Sequence, residues 1–413
     1  MKSYLDSLIK HPFTSIQLSD KEKFHTGMLK IMLDTIGEPA YACVFGNEFT
    51  KELYSNNGTP LILLEQGSID MVIKKLIKDQ KESIFAIIES KFKTGLHYSK
   101  DKKTSSGYID QLTKYAYSND GLKAKYGFVI SLFKENKDDL KIKSIPEKEP
   151  KIQKYKPLRF IDFDFGFLEK EISRLNKSNL LKPDILDKAV LIRMWLDYLK
   201  CLSKVVNFFV EKKFEDVSDK NFENDLKKIK LKGVFERYRL KLIEKELLEK
   251  INPQEQLKES LKRGASFENI PNAENNFIMI KNTNGNESLL LAINSEEGNE
   301  KFYYGIEWQS GSVKVFIKWN KNRINSDLKK KREEALILLI ERLLPKLEKN
   351  TVDKFIKPNK KGELSHRDSV FKSITIIKKS IFEDIQDISE KLFDIIGVIH
   401  DNGIHINNIL NSK

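Results

Sequence analysis

The chain of 413 residues holds only two cysteines, Cys43 and Cys201. They are far apart and show no metal-ligand spacing, which argues against a zinc site and against a disulfide framework. No stretch approaches the roughly 18 apolar residues that a membrane span requires. The N-terminus, MKSYLDSLIKHPF, lacks the apolar run and the small-residue cleavage site of a secretory signal, so a soluble, cytoplasmic protein with no membrane partner is expected. A glycine-rich nucleotide loop is missing too, and any nucleotide-driven step would need another protein. No internal repeat is present, which sets aside solenoids and propellers.

Acidic charge is also short, with 60 Asp and Glu against 73 Lys and Arg, a formal net charge of +13. Such an excess favours a polyanionic partner, because basic side chains release counterions from phosphates on binding. Most of it is lysine scattered over solvated faces among many Ile and Asn, a pattern that nucleotide-composition bias alone produces. Charge by itself therefore identifies no partner. With 40% hydrophobic and 32% charged residues, the chain is a globular protein long enough for one elaborated domain or two to three smaller ones.

The spacing predicts a helix starting at Ser19 or Asp20 as cap, with Glu22 in its first turn and Phe24, Met28, Leu29 and Met32 on one side. A turn at Asn56-Asn57-Gly58 precedes a short apolar strand, Leu61 to Leu64. Two β-branched runs follow, SIDMVIKKLI from Ser68 and SIFAIIESKF from Ser83, joined by polar KDQKE as a hairpin. Residues 94–107 read as a loop, 108–117 as a helix, and YGFVISLF from Tyr126 as a buried strand.

The charged stretch 134–157 reads as an exposed insertion or linker, 159–167 as a strand, and 168–261 as mostly helical. An antiparallel meander is expected over 276–317, from the runs FIMIKN, SLLLAIN, FYYGIEW and VKVFIKW. A helix over 327–349 and an apolar helix or strand over 385–399 complete the chain.

Chemistry concentrates on the hairpin. Glu89 and Lys91, two apart on a strand, project from one face. Asp70, near the start of the preceding strand, lies opposite the end of the next and so comes beside them. Two carboxylates, with a backbone carbonyl such as that of Ser90, can hold one or two Mg²⁺ ions, with Mn²⁺ as a substitute. Lys91 can orient an attacking water or offset charge on a scissile phosphate.

Asp70 followed across a strand gap by Glu89-Ser90-Lys91 resembles the signature of the PD-(D/E)XK nuclease superfamily. The proline of that name is absent, since Ile69 precedes Asp70. Gln111-Leu-Thr-Lys-Tyr115 resembles the QxxxY motif of several branches, whose Gln and Tyr share a helical face and contact substrate or brace the site. Glu22 resembles the acidic residue of the superfamily's first core helix, an additional metal ligand; His25 beside it reads as structural.

The resemblance implies an α/β fold, a restriction-endonuclease-like core of mixed sheet flanked by helices. A helical region and a C-terminal β-rich α+β domain would follow. The expected domains are 1–215 for the nuclease, with its core about 21–133, then a helical connector at 216–263 and a recognition or partner domain at 264–413. The implied activity is Mg²⁺-dependent nuclease cleavage of DNA, as an endonuclease or an exonuclease and with RNA left open, in bacterial restriction or anti-phage defence. Homo-oligomers and a partner protein of a defence system also stay open. The alternative is a non-cleaving nucleic-acid-binding or partner subunit on the same fold. His400 and His405, in HDNGIH, flank a turn, and the aromatics Tyr303, Tyr304, Trp308 and Trp319 read as core rather than base-stacking platforms.

Overall fold

The computed structural model describes residues 2–18, 21–66, 69–77, 83–91, 98–100, 108–110, 124–132, 152–178, 183–211, 220–267, 277–283, 286–294, 302–309, 312–319, 326–348, 365–366, 371–378 and 385–411. The chain divides into two compact units, Met1–Lys212 with Glu223–Leu231, and Lys213–Phe222 with Lys232–Lys413. The stretch 216–263, read above as a connector, is thus shared between the two. Among the described residues no helix is long and apolar enough to cross a membrane, and both cysteines are free.

The first unit begins with α1 (Lys2–Lys10), α2 (Pro12–Ser15) and α3 (Glu22–Ile36). The last of these buries Met28, Leu29, Met32, Leu33 and Ile36 at helical spacing. Its N-cap is Lys21, without a side-chain cap bond; Ser19 and Asp20 lie outside the described residues. Gly37, at φ 74°, ends α3 by donating its N–H to Leu33 O and opens α4 (Glu38–Phe45). Gly46, at φ 96°, performs the same reversal into α5 (Asn47–Tyr54). Both φ values lie where a Cβ is unwelcome, so glycine permits two sharp helix-to-helix turns within ten residues.

A mixed five-stranded sheet follows, in the order β1-β2-β3-β6-β7. Its strands are β1 (Thr59–Gln66), β2 (Ile69–Leu76), β3 (Ser83–Lys91), β6 (Ala124–Ser131) and β7 (Ile152–Arg159); the short pair β4 (Tyr98–Lys100) and β5 (Tyr108–Asp110) stands apart from it. The hairpin expected from sequence is present as antiparallel β2 and β3, while β6 runs parallel to β3 and β7 parallel to β6. Three readings change. Residues 108–110 form a strand rather than a helix start, 152–159 belong to the sheet rather than to a linker, and 160–162 form a 3-10 turn leading into a helix at Phe165. Charged residues on β7 hid its strand character, because a sheet-edge strand keeps one side in water.

A bulge between Ile73 and Lys74 leaves Phe85 as an extra residue on β3. Phe85 joins Phe45, Phe49, Tyr126 and Phe128 in an aromatic cluster, with ring centroids 4.8 to 5.4 Å apart for most pairs. α4 and α5 therefore cover one face of the sheet. The helices α6 (Phe165–Ser178) and α7 (Pro183–Glu211) follow, and α7 buries Ile192, Trp195, Leu196, Leu199 and Leu202 completely. His25 of α3 is fully buried there, and its Nδ1 accepts a 3.1 Å bond from the Trp195 indole. The structural reading of His25 thus agrees with its packing.

The helix α8 (Lys220–Lys228) leads to the helices of the second unit, α9 (Lys232–Ile251) and α10 (Glu255–Phe267). The expected meander is β8 (Ile278–Thr283), β9 (Asn286–Asn294), β10 (Phe302–Gln309) and β11 (Ser312–Trp319). It is extended to six strands by β12 (Ser365–His366) and β13 (Phe371–Lys378), in the order β12-β13-β11-β10-β9-β8. α11 (Ser326–Glu348), α12 (Ile385–Asp401) and α13 (Gly403–Asn411) complete it, so 385–399 is helix rather than strand. Tyr303, Tyr304 and Trp308 are buried, as core aromatics are.

Candidate active site on the five-stranded sheet

Strand register assembles the site. The β2–β3 ladder runs to Met71 opposite Ile88, and one residue further Asp70 falls opposite Glu89. On the other side of β2, Leu64 pairs with Met71 and Gln66 with Ile69, which puts Glu65 opposite Asp70. Residues directly opposite one another share a sheet face. Asp70 and Glu89 therefore share the face away from α4 and α5, and Glu65, whose left-handed φ of 53° breaks the strand alternation, adds its charge at Asp70, so the three carboxylates run in a row across neighbouring strands.

Beyond Met71 the hairpin opens. The Ser90 N–H donates to Asp70 Oδ2 at 2.7 Å, so a carboxylate takes the place of a ladder carbonyl and is fixed between the strands. Glu89 is 1% exposed and Lys91 7%, and Lys91 Nζ donates to Glu89 Oε1 at 2.5 Å. The second oxygen, Glu89 Oε2, is buried with no hydrogen-bond partner among the described residues, as is Ser90 Oγ.

Electrostatics follow from that packing. Burial, then the Asp70 charge, pushes the Glu89 carboxyl up to about 7 against the pull of Lys91, and Glu22 adds to the rise. Asp70 is raised above the ordinary carboxylate range mainly by burial; the Ser90 N–H and Lys91 oppose the shift, and Glu22 and Glu65 add to it. The first turn of α3 is tied to β1 beside the acidic row by the ion pair of Lys23 with Glu65. A buried carboxylate with an orphan oxygen and like-charged neighbours is costly unless a cation or proton joins it.

The structure thus brings together Asp70, Glu89, Ser90 and Lys91, with Glu22 within electrostatic reach. Gln111 and Tyr115 lie outside the described residues. Among the described residues no three His, Cys, Asp or Glu side chains yet stand close enough to hold an ion together. The donor set suits a hard cation nonetheless: two carboxylates, one carrying the orphan oxygen, beside the Ser90 backbone.

Two residues escaped the reading of the sequence. Glu65 depends on the β1–β2 register, for which the two-residue Gly67-Ser68 connection between apolar runs was the only signal. Arg159 ends β7, whereas the sequence suggested a strand that begins there and runs over 159–167. Lys91, Ser131 and Arg159 are in register at the C-terminal ends of three parallel strands, where open α/β sheets bind ligands. Arg159 is held by a two-pronged pair with Asp162 at 2.6 and 2.5 Å.

No family model matches the chain, and no curated protein or solved structure shows significant similarity to it.

Proposed function

We propose that the first unit is a metal-dependent nuclease with a PD-(D/E)XK core, hydrolysing DNA phosphodiester bonds in restriction or anti-phage defence. The observation that carries this reading is the juxtaposition of Asp70, Glu89 and Lys91 where the β2–β3 hairpin opens. A strand that buries a glutamate and a lysine side by side, next to a second carboxylate, makes poor structural sense without chemistry.

Asp70, Glu89 and the Ser90 carbonyl would hold Mg²⁺ or Mn²⁺, with Glu22 as a further ligand. When bound, the cation would polarise the phosphate, acidify water and offset charge on the leaving oxygen. Lys91, once released from Glu89 Oε1, presents its ammonium to the scissile phosphate or to the attacking water. Water adds to phosphorus, one ester P–O bond breaks, and the proton lost by the water is balanced by one gained at the leaving oxygen. Arg159, at the end of β7, would meet a neighbouring phosphate through the guanidinium edge that its pair with Asp162 leaves open. Gln111 and Tyr115 retain their proposed role as residues that brace the site or touch substrate.

Cleavage of plasmid and single-stranded DNA with Mg²⁺ or Mn²⁺, by the wild type, Glu89→Ala and Lys91→Ala, tests the reading. Cutting lost in both variants supports it. Equal cutting by all three would move the chemistry elsewhere. DNA bound but uncut by every form would favour the non-cleaving subunit built on the same fold.

A further inference from the structure

The acidic row does not end at Asp70. Glu65 continues it on β1, and its Oε1 is held at 2.9 Å by Lys23 Nζ, from the residue next to Glu22 in the first turn of α3. Both partners are largely in water, with side chains 75% and 56% exposed, so the pair can open without disturbing the core. Glu65 also sits at φ 53°, a left-handed conformation that strains a residue with a side chain and that glycine would adopt freely. Local folding gives no reason for a glutamate there.

A second observation points inward to the same place. Glu89 lies in the same row with its side chain 2% exposed, and its Oε2 is unpartnered among the described residues. Each glutamate at the two ends of the row is engaged by a lysine, Glu65 by Lys23 and Glu89 by Lys91. Two ammonium groups thus occupy carboxylate oxygens along the row.

We infer that Glu65 is the outer member of the cation site and that Lys23 is a tethered counter-charge which a divalent cation displaces from it. The inference rests on the nuclease site proposed above. It adds to that site a residue which sets cation affinity. Lys23 keeps the row neutralised while no cation is bound, and Glu65 turns inward to complete the donor set when one arrives.

The test is calorimetric titration of the full-length protein with MnCl₂, in the absence of nucleic acid. Glu65→Gln should weaken Mn²⁺ binding at least about tenfold. Lys23→Ala should tighten it by about two- to fivefold, the worth of an exposed ion pair. In a Glu65→Gln background, Lys23→Ala should change nothing, because its effect passes through Glu65. Wild-type affinity in Glu65→Gln, or equal tightening by Lys23→Ala in both backgrounds, would overturn the inference while leaving the inner site standing. A wild type that takes up no Mn²⁺, or a Glu89→Gln variant that binds it unchanged, would overturn the site itself and the inference with it.

Discussion

Each unit buries a glutamate in a strand of its sheet, and the two are not alike. Glu89 is 1% exposed near the end of β3, and Glu307 is 2% exposed within β10. Glu307 lies directly opposite Lys314 on the neighbouring antiparallel strand, in a sheet whose pairing continues on both sides of it. Glu89 lies where a ladder opens, with Asp70 and Glu22 adding charge of its own sign. Burial of a carboxylate is therefore no sign of function by itself. A buried oxygen with no hydrogen-bond partner among the described residues is no sign either, since Glu307 Oε2 shares that state with Glu89 Oε2; what supports the proposed chemical role of Glu89 is the second carboxylate beside it where the ladder opens.

The sharpest way to break this contrast is activity. Glu89→Ala and Lys91→Ala should each lower metal-dependent DNA cleavage about 100- to 1,000-fold, while Glu307→Gln should leave the rate per folded molecule unchanged. A comparable loss in Glu307→Gln would mean that the second unit contributes to the chemistry.

The next effect is one of pH. The Glu89 carboxyl rises from an ordinary 4.5 to about 7 on folding, so the folded protein holds a proton that the unfolded chain has released between those values. Its contribution to stability is thus fully present below pH 4.5 and is lost as pH rises to 7, by about 3 kcal/mol. Urea unfolding in EDTA at pH 5 and pH 8 should show this decline in the wild type and a flatter profile in Glu89→Gln. The Gln variant should be the more stable protein at pH 8, a gain in stability at the cost of function. A Gln variant less stable than wild type at pH 8 would show that the pair with Lys91 outweighs burial. Glu307→Gln, opposite Lys314 on the neighbouring strand, should by contrast destabilise the second unit by about 2 kcal/mol.

How far the sequence revealed these features depended on whether the signal was local. The alternation of SIFAIIESK and the two-residue spacing of Glu89 and Lys91 located β3 and its charged face, because strand periodicity is carried by the strand itself. The meander of β8 to β11 was legible for the same reason. β7 and β13 were not: β7 carries Lys154, Lys156, Pro157 and Arg159 in eight residues, and β13, despite its apolar ITII, lies far in sequence from β11, against which it pairs. Glu65 was invisible as a site residue until the register of β1 on β2 set it opposite Asp70. A one-residue slip would have turned it to the other face. Lys21, rather than Ser19 or Asp20, precedes α3, and propensity could not separate three adjacent polar residues.

The smallest expected effect compares two buried lysines of one sheet. Lys75 on β2 is 8% exposed, close to the 7% of Lys91, yet it points to the opposite face. Its Nζ donates to the Glu52 carbonyl at 2.6 Å and to Ser55 Oγ at 2.7 Å, closing the C-terminal turn of α5 as a cation does at a helix end. With neutral acceptors and no carboxylate in those bonds, Lys75 is a fastening. Lys75→Met keeps the length of the apolar stem and removes the donor, and should cost about 1 kcal/mol in urea unfolding with no change in Mn²⁺ affinity or cleavage. Lys91→Met, measured beside it, should lower cleavage as far as Lys91→Ala does. If Lys75→Met also altered Mn²⁺ binding, the two faces of the sheet would be coupled, and the division between a fastening lysine and a reactive one would fail.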